Sequence, residues 1–254
     1  MERGIKISHS DFIKLIKYPD KYKKYNWLYL GSEFCDNLLD FYIKNLGIIK
    51  DLPNKICFLT PPLTDLKMPI FKKLILKLNN YENVKEISIN DLSILNFKDI
   101  TSKKLNIGRY LSKFFIKTHT NNINFNNTLQ ILKEYSIERI ELTFIFSKIK
   151  KLHPKYSEIN FFFTVYYPYF NLTTTMGCIT EIEDIKATED ISLKKCNYNC
   201  INNAWEIKLK NEKLIIEGNT IFKKYIDNYK KIKNNIKKYN FYGLKTDRII
   251  EIRY

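Results

Sequence analysis

Short apolar runs of strand length recur along this 254-residue chain, and most are separated by segments with helical spacing. Gly4–Ser8 (GIKIS) alternates apolar and polar positions. Trp27–Gly31 (WLYLG) and Lys55–Thr60 (KICFLT) are unbroken apolar runs, as expected of strands covered on both faces. Val84–Asn90, Leu105–Arg109, Arg139–Phe144, Glu158–Val165 and Asp247–Arg253 read as five further strands. Asp11–Lys24 reads as a polar helix or loop. Asp36–Gly47 has apolar residues at helical spacing and a glycine stop. Thr64–Leu78 is helical, with Thr64 or Asp65 as its cap, and Phe125–Tyr135 is an amphipathic helix capped by Asn124. Trp205–Ile216 looks like a hairpin turning at Asn211 and Glu212, and Ile221–Tyr239 like a lysine-rich helix.

Strands alternating with helices predict a parallel sheet, and eight of them predict closure. The expected fold is α/β: a single TIM-like (β/α)8 barrel domain over residues 1–254, with a cysteine-bearing insertion and a hairpin between strands seven and eight. Two helices are weak. The segment before Leu105 is very short, and none separates Arg139 from Glu158, which predicts a distorted or incomplete barrel.

At 44% hydrophobic and 15% aromatic residues, the chain can build one large core. No run of about 18 uncharged apolar residues is present, so no membrane span is expected. The first residues, MERGIKISHSDF, lack the apolar stretch and cleavage site of a signal peptide, and a cytoplasmic protein is expected. The net charge of +16 fits either a polyanionic partner such as RNA or a composition rich in Lys, Asn, Ile and Tyr throughout.

Five cysteines without a secretory signal argue against a disulfide framework and toward metal or redox chemistry. Cys35 lies just past the second strand. Cys178, Cys196 and Cys200 follow the seventh, with 17 and then three residues between them. Loops after strand C-termini share one face of such a barrel, so all four cysteines are expected on that face. Four thiolates suit tetrahedral zinc or a [4Fe–4S] cluster. Lys194 and Lys195 would offset their charge. Cys57, inside the third strand, reads as core.

Other candidates for chemistry are few. His9, His119 and His153 read as surface or capping residues, and no Ser-His-Asp set, glycine-rich phosphate loop or HExxH motif is present. Asp91 ends a strand, Glu141 lies inside one and Arg109 ends the fifth. Each faces a substrate in the barrel mouth or belongs to a structural ion pair. Aromatics crowd the seventh strand, and Tyr166, Tyr167 and Tyr169 are candidates to line the mouth.

Several of these pieces together resemble the collagenase-like peptidase family (peptidase U-32). They are YLGSEFC at Tyr29–Cys35, LTPPLTD at Leu59–Asp65, IND at Ile89–Asp91, GRYL at Gly108–Leu111, IERIELT at Ile137–Thr143, MGC at Met176–Cys178, KKCNYNC ending at Cys200, and EGN at Glu217–Asn219. The cysteine arrangement looks most like the family's iron–sulfur proteins of oxygen-independent ubiquinone hydroxylation. The resemblance implies a barrel-like fold and a [4Fe–4S] cluster on Cys35, Cys178, Cys196 and Cys200, with zinc the alternative. It implies oxygen-independent hydroxylation of an RNA base or small aromatic, with Arg109, Glu141 and Asp91 as catalytic candidates. The same resemblance allows a non-catalytic partner in a heterodimer with a homologue and, more weakly, a peptidase. Two departures stand out: Leu92 and Ser93 replace the family's Trp-Gly after Asn90 and Asp91, and its Pro-Arg is absent around Ile116–His119. A shared substrate site is therefore not implied.

Overall fold

The computed structural model describes residues 1–15, 17–117, 122–143, 161–175, 178–179, 196–202, 204–209, 212–225, 230, 232–234, 236 and 245–253. Its strands, in chain order, are β1 (Glu2–Lys6), β2 (Trp27–Gly31), β3 (Lys55–Leu59), β4 (Val84–Ile89), β5 (Lys104–Ile107), β6 (Arg139–Thr143), β7 (Phe162–Tyr167), β8 (Tyr169–Thr174), β9 (Trp205–Leu209), β10 (Glu212–Glu217), β11 (Thr220–Lys224) and β12 (Lys245–Ile252). The helices are α1 (His9–Lys14), α2 (Leu39–Asn45), α3 (Met68–Asn79), α4 (Arg109–Lys117) and α5 (Asn122–Glu134).

Eight strands close into one parallel barrel in the order β1-β12-β7-β6-β5-β4-β3-β2. These are the eight runs that the apolar pattern singled out, and the barrel is closed rather than incomplete. The period of two along each strand separates two apolar environments. Leu28, Leu30, Ile56 and Phe58 point outward into the cluster shared with the helices. Trp27, Tyr29, Cys57, Leu59, Tyr166, Ile250 and Ile252 point inward. Gly31 ends β2 at φ +115°, and a Cβ there would lie 2.3 Å from the Leu59 carbonyl oxygen, so the chain can leave the barrel here only without a side chain.

The barrel interior is also charged. At the N-terminal ends of the strands, Arg248 lies 3.5 Å from the Trp27 ring centre and donates to Tyr29 Oη (2.6 Å) and to both Glu86 oxygens (2.6 and 3.1 Å). Arg139 pairs with Asp247 at 2.6 and 2.8 Å. Every buried charge named here meets an opposite one, as burial demands.

The remaining strands form an antiparallel sheet in the order β8-β11-β10-β9. It leaves the barrel directly, since β8 begins two residues after β7 ends. It packs against the C-terminal end of the barrel. Phe222 of β11 is fully buried against Phe34, with ring centres 5.7 Å apart, and Lys6 at the end of β1 reaches Glu217 at 3.3 Å.

Several expectations are corrected. Ile221–Lys224 belongs to β11, not to a helix; helical residues are described only from Lys230. Thr220–Lys224 satisfies its backbone between β10 and β8, an option that local lysine-rich periodicity does not reveal. Tyr169 and Phe170 start β8 rather than extend the seventh strand. The helix expected from Phe125 begins at Asn122, so Asn124 lies inside it and is not the cap. Arg109 opens α4, because β5 already ends at Ile107. Thr64 donates its hydroxyl to Asp36 (2.7 Å) and caps nothing with its side chain. A 3₁₀ helix, Leu92–Ile100, fills the short connection before β5. Residues 144–160, where a helix was missing and the Glu158 strand was to begin, lie outside the described residues.

Candidate metal centre

Past Gly31 the chain turns through Ser32, and the Cys35 amide donates to the Ser32 hydroxyl at 3.1 Å. Cys35 then stands at the start of a 3₁₀ turn, Asp36–Leu38, where the Asn37 amide donates to its sulfur. Cys178 follows the end of β8, so it lies one strand further on than expected. Cys196 and Cys200 flank Tyr198, whose φ of 61° is rare for a bulky residue; the surrounding packing holds this bend. Cys200 lies in the 3₁₀ turn Asn199–Ile201, which packs beside α1, and the Tyr198 ring meets Phe41 of α2. Cys35 and Cys200 share one apolar cluster and are 8% and 4% exposed.

The four thiols sense one another. Burial first, and then the charges of nearby Cys196 and Cys178, push the Cys35 thiol up to about 12. Cys200 is raised most strongly by a hydrogen bond with the Cys178 thiol, then by burial and by the charges of Cys178, Cys35 and Glu217. None of the five cysteines is in a disulfide. Sulfurs crowded in an apolar setting resist ionisation, and a cation among them reverses that balance. The donor set, four soft sulfurs and no competing carboxylate pair, fits zinc or an iron–sulfur cluster. Among the described residues, no three His, Cys, Asp or Glu side chains already stand as a finished metal-ligand group. The fit is therefore one of donor type and location. Lys194 and Lys195 lie outside the described residues.

The turn between β10 and β11 ties the cysteine segments together. Gly218 adopts φ +61°, and a Cβ on it would lie 3.7 Å from the Cys200 sulfur. Its carbonyl accepts from Ile179, next to Cys178, at 3.0 Å. Asn219, 6% exposed, donates its side-chain amide to the carbonyls of Phe34 (2.8 Å) and Thr175 (3.0 Å). This two-residue turn, Gly218–Asn219, thus reaches all three cysteine-bearing segments. It stood in the sequence only as a fragment of the resemblance. The usable signal was Gly-Asn between two apolar alternations, the mark of a tight hairpin.

Below this turn runs a buried polar chain. Glu217 meets Lys6 at 3.3 Å and His9 at 3.9 Å. Burial would raise the Glu217 carboxyl, but Lys6 and His9 outweigh it and hold it below its ordinary range. Burial lowers His9, whose Nδ1 lies 2.6 Å from the Tyr42 hydroxyl. His9 is therefore an interior residue and not a surface one, because α1 follows β1 directly and turns its first residue under the second sheet. His119 and His153 lie outside the described residues. Lys6 also meets Glu33 at 3.7 Å, and Glu33 receives a two-pronged bond from Arg109, with Nε at 2.7 Å.

Arg109 and Glu141, expected to face a substrate, are both fully buried inside the barrel. Arg109 binds Glu33 and lies 4.2 Å from the centre of the Tyr166 ring. Tyr166 donates to Glu141 at 2.7 Å, and burial pushes the Glu141 carboxyl up to about 7. Tyr166 is thus interior rather than mouth-lining. Cys57 is core as expected, 3.8 Å from Glu141. Asp91 accepts from the Ser93 amide and hydroxyl (2.8 and 2.7 Å) and from the Leu63 amide (2.8 Å), which makes it a loop staple. Glu33, adjacent to the Cys35 loop, was not singled out from the sequence. No family model, no curated protein and no solved structure matches the chain, and what it does has to be argued from this site.

Proposed function

We propose that Cys35, Cys178, Cys196 and Cys200 hold a [4Fe–4S] cluster at the C-terminal mouth of the barrel. In this reading the protein uses the cluster for oxygen-independent hydroxylation, or a related redox modification, of an RNA base or small aromatic in the cytoplasm. The observation that carries the reading is geometric: the Gly218–Asn219 turn bonds to the segments beside Cys35 and Cys178 and lies against Cys200, so Cys35 and cysteines at least 143 positions later meet around one turn. Four thiolates also suit zinc, and the resemblance to the collagenase-like peptidase family favours iron. When bound, a cluster of this kind supplies one-electron transfer.

The chain's own residues do the positioning. Asn219 clamps the Phe34–Cys35 loop to the segment before Cys178. The Glu33–Arg109 pair anchors that loop from beneath. Apolar packing around Cys35 and Cys200 keeps water away from the sulfurs.

The complete burial of Arg109 and Glu141 favours a second reading, in which this chain is the cluster-bearing, non-catalytic member of a heterodimer with a homologue. Purification without oxygen, followed by iron, sulfide and zinc analysis, tests the centre. About four irons and four sulfides per chain are expected. A colourless protein with one zinc rejects the cluster. Loaded protein that turns over only with a second chain selects the partner reading.

A further inference from the structure

We propose that β9 is a self-association surface, pairing antiparallel with β9 of a second copy about a two-fold axis through Ile207. Among the described strands, β9 pairs only with β10 and forms one edge of the four-stranded sheet. An edge strand presents unpaired backbone donors and acceptors to any strand that can align with it. Proteins usually protect such edges by charged side chains, proline, a bulge or burial under another element. Trp205–Lys208 has no proline and no bulge, and its two charges, Glu206 and Lys208, are of opposite sign. All four residues are exposed, Trp205 by 41% and Ile207 by 38%, and the pairing with β10 runs without a shift.

The sequence of the strand selects its partner. Read outward from Ile207, it carries an acid on one side, Glu206, and a base on the other, Lys208. A two-fold axis at Ile207 sets each Glu206 opposite the second copy's Lys208, twice by symmetry. Strand addition of this kind takes its affinity from main-chain bonds and its specificity from such side-chain pairs. Within one chain Lys208 stands opposite Lys213 in the β9–β10 register, a like-charge pair across the strands. The incoming Glu206 lies on the other flank of Lys208 and offsets that repulsion.

The opposite face of the strand agrees with this register. Leu214, 9% exposed, stands opposite Ile207, and Ile216, 4% exposed, stands opposite Trp205. Trp205 and Ile207 are thus the exposed margin of an apolar face. The axis continues that face as Leu214, Ile207, Ile207 and Leu214 across the joined sheets. The proposal stands independently of any metal at the thiols, because no cysteine takes part.

Sedimentation velocity over a concentration series, on the full chain, tests it. The wild type is expected to form a dimer as concentration rises. Glu206→Lys turns two attractive cross-strand pairs into two repulsive ones, and the association constant should fall by about tenfold or more. Glu206→Lys combined with Lys208→Glu is again self-complementary and should restore the dimer. Glu206 also forms an exposed pair with Lys213 of its own chain, which contributes little to folding. Ile207→Cys gives a second readout. Residues facing each other across such an axis stand within disulfide reach, so mild oxidation should yield a covalent dimer that the wild type does not form. A wild type that stays monomeric, a dimer indifferent to Glu206→Lys, or an Ile207→Cys chain that does not cross-link each overturns the proposal.

Discussion

The side-chain amide of Asn219 donates to the carbonyl of Phe34, 185 positions earlier in the chain, at 2.8 Å. That bond joins the loop carrying Cys35 to the turn on which Cys200 rests. The same amide also holds the Thr175 carbonyl, just ahead of Cys178. Asn219→Ala leaves two buried carbonyls without this donor and should cost about 2 kcal/mol. Thermal unfolding reads that loss. The proposed role also demands lower iron content in the folded variant after anaerobic reconstitution; unchanged iron would make Asn219 a purely structural residue.

Glu141 predicts a pH dependence of stability. Burial raises its carboxyl from 4.5 to about 7 in the folded protein. Between those values the folded state holds a proton that the unfolded state has released, so stability falls as pH rises. The contribution is fully present below 4.5 and gone above about 7, a change of about 3 kcal/mol. Glu141→Gln keeps an acceptor for Tyr166 but does not titrate. Denaturant melts from pH 4.5 to 8 should therefore show the wild type losing stability relative to the variant by about that amount. Parallel curves would contradict the buried placement.

Arg109 and Glu33 are both fully out of solvent. Arg109→Met leaves the buried Glu33 carboxylate without its two-pronged partner, with only Lys6 at 3.7 Å to offset its charge, and should destabilise by about 3 kcal/mol. Adding Glu33→Gln removes that charge. The double variant should recover much of the loss, and a double-mutant cycle in urea measures the coupling. Additive losses would mean that the pair is not coupled in solution.

The cysteines divide four to one. Cys57 faces Glu141 inside the barrel, while the other four interact among themselves. Cys196→Ala should therefore strip the chain of bound iron or zinc under anaerobic reconstitution, whereas Cys57→Ala should retain it. Visible absorbance and metal analysis distinguish the two. Equal loss in both variants would place the metal elsewhere.

Much of the barrel was legible because its strands announce themselves locally. Apolar runs such as WLYLG and KICFL are buried on both faces wherever they sit in the fold, so no partner needs to be known. Cys35 could be placed beyond a strand end for the same reason. The second sheet was less legible. Thr220–Lys224 leads into a lysine-rich run with helical spacing, and its pairing to β10 on one side and to β8, about 50 residues earlier, on the other makes it a strand. For Arg109 and Glu141 the sequence left two readings open, the mouth or a structural pair, because a charged residue in or after a barrel strand reads alike in both; the structure places both side chains in the interior.

The sequence by itself determined the eight barrel strands, their parallel alternation, and the places of Cys35 just past β2 and Cys57 within β3, because burial imposes a period of two and chain connectivity puts successive strand ends on one face. Tertiary structure alone decided that His9, Glu33, Arg109, Glu141 and Glu217 lie inside, that Asn219 is the clamp, and that Cys178 lies past β8. Those outcomes depend on partners tens to hundreds of positions away. A charge or an amide carries no local mark of which distant group will meet it, whereas an apolar run carries its tendency to be buried wherever the chain takes it.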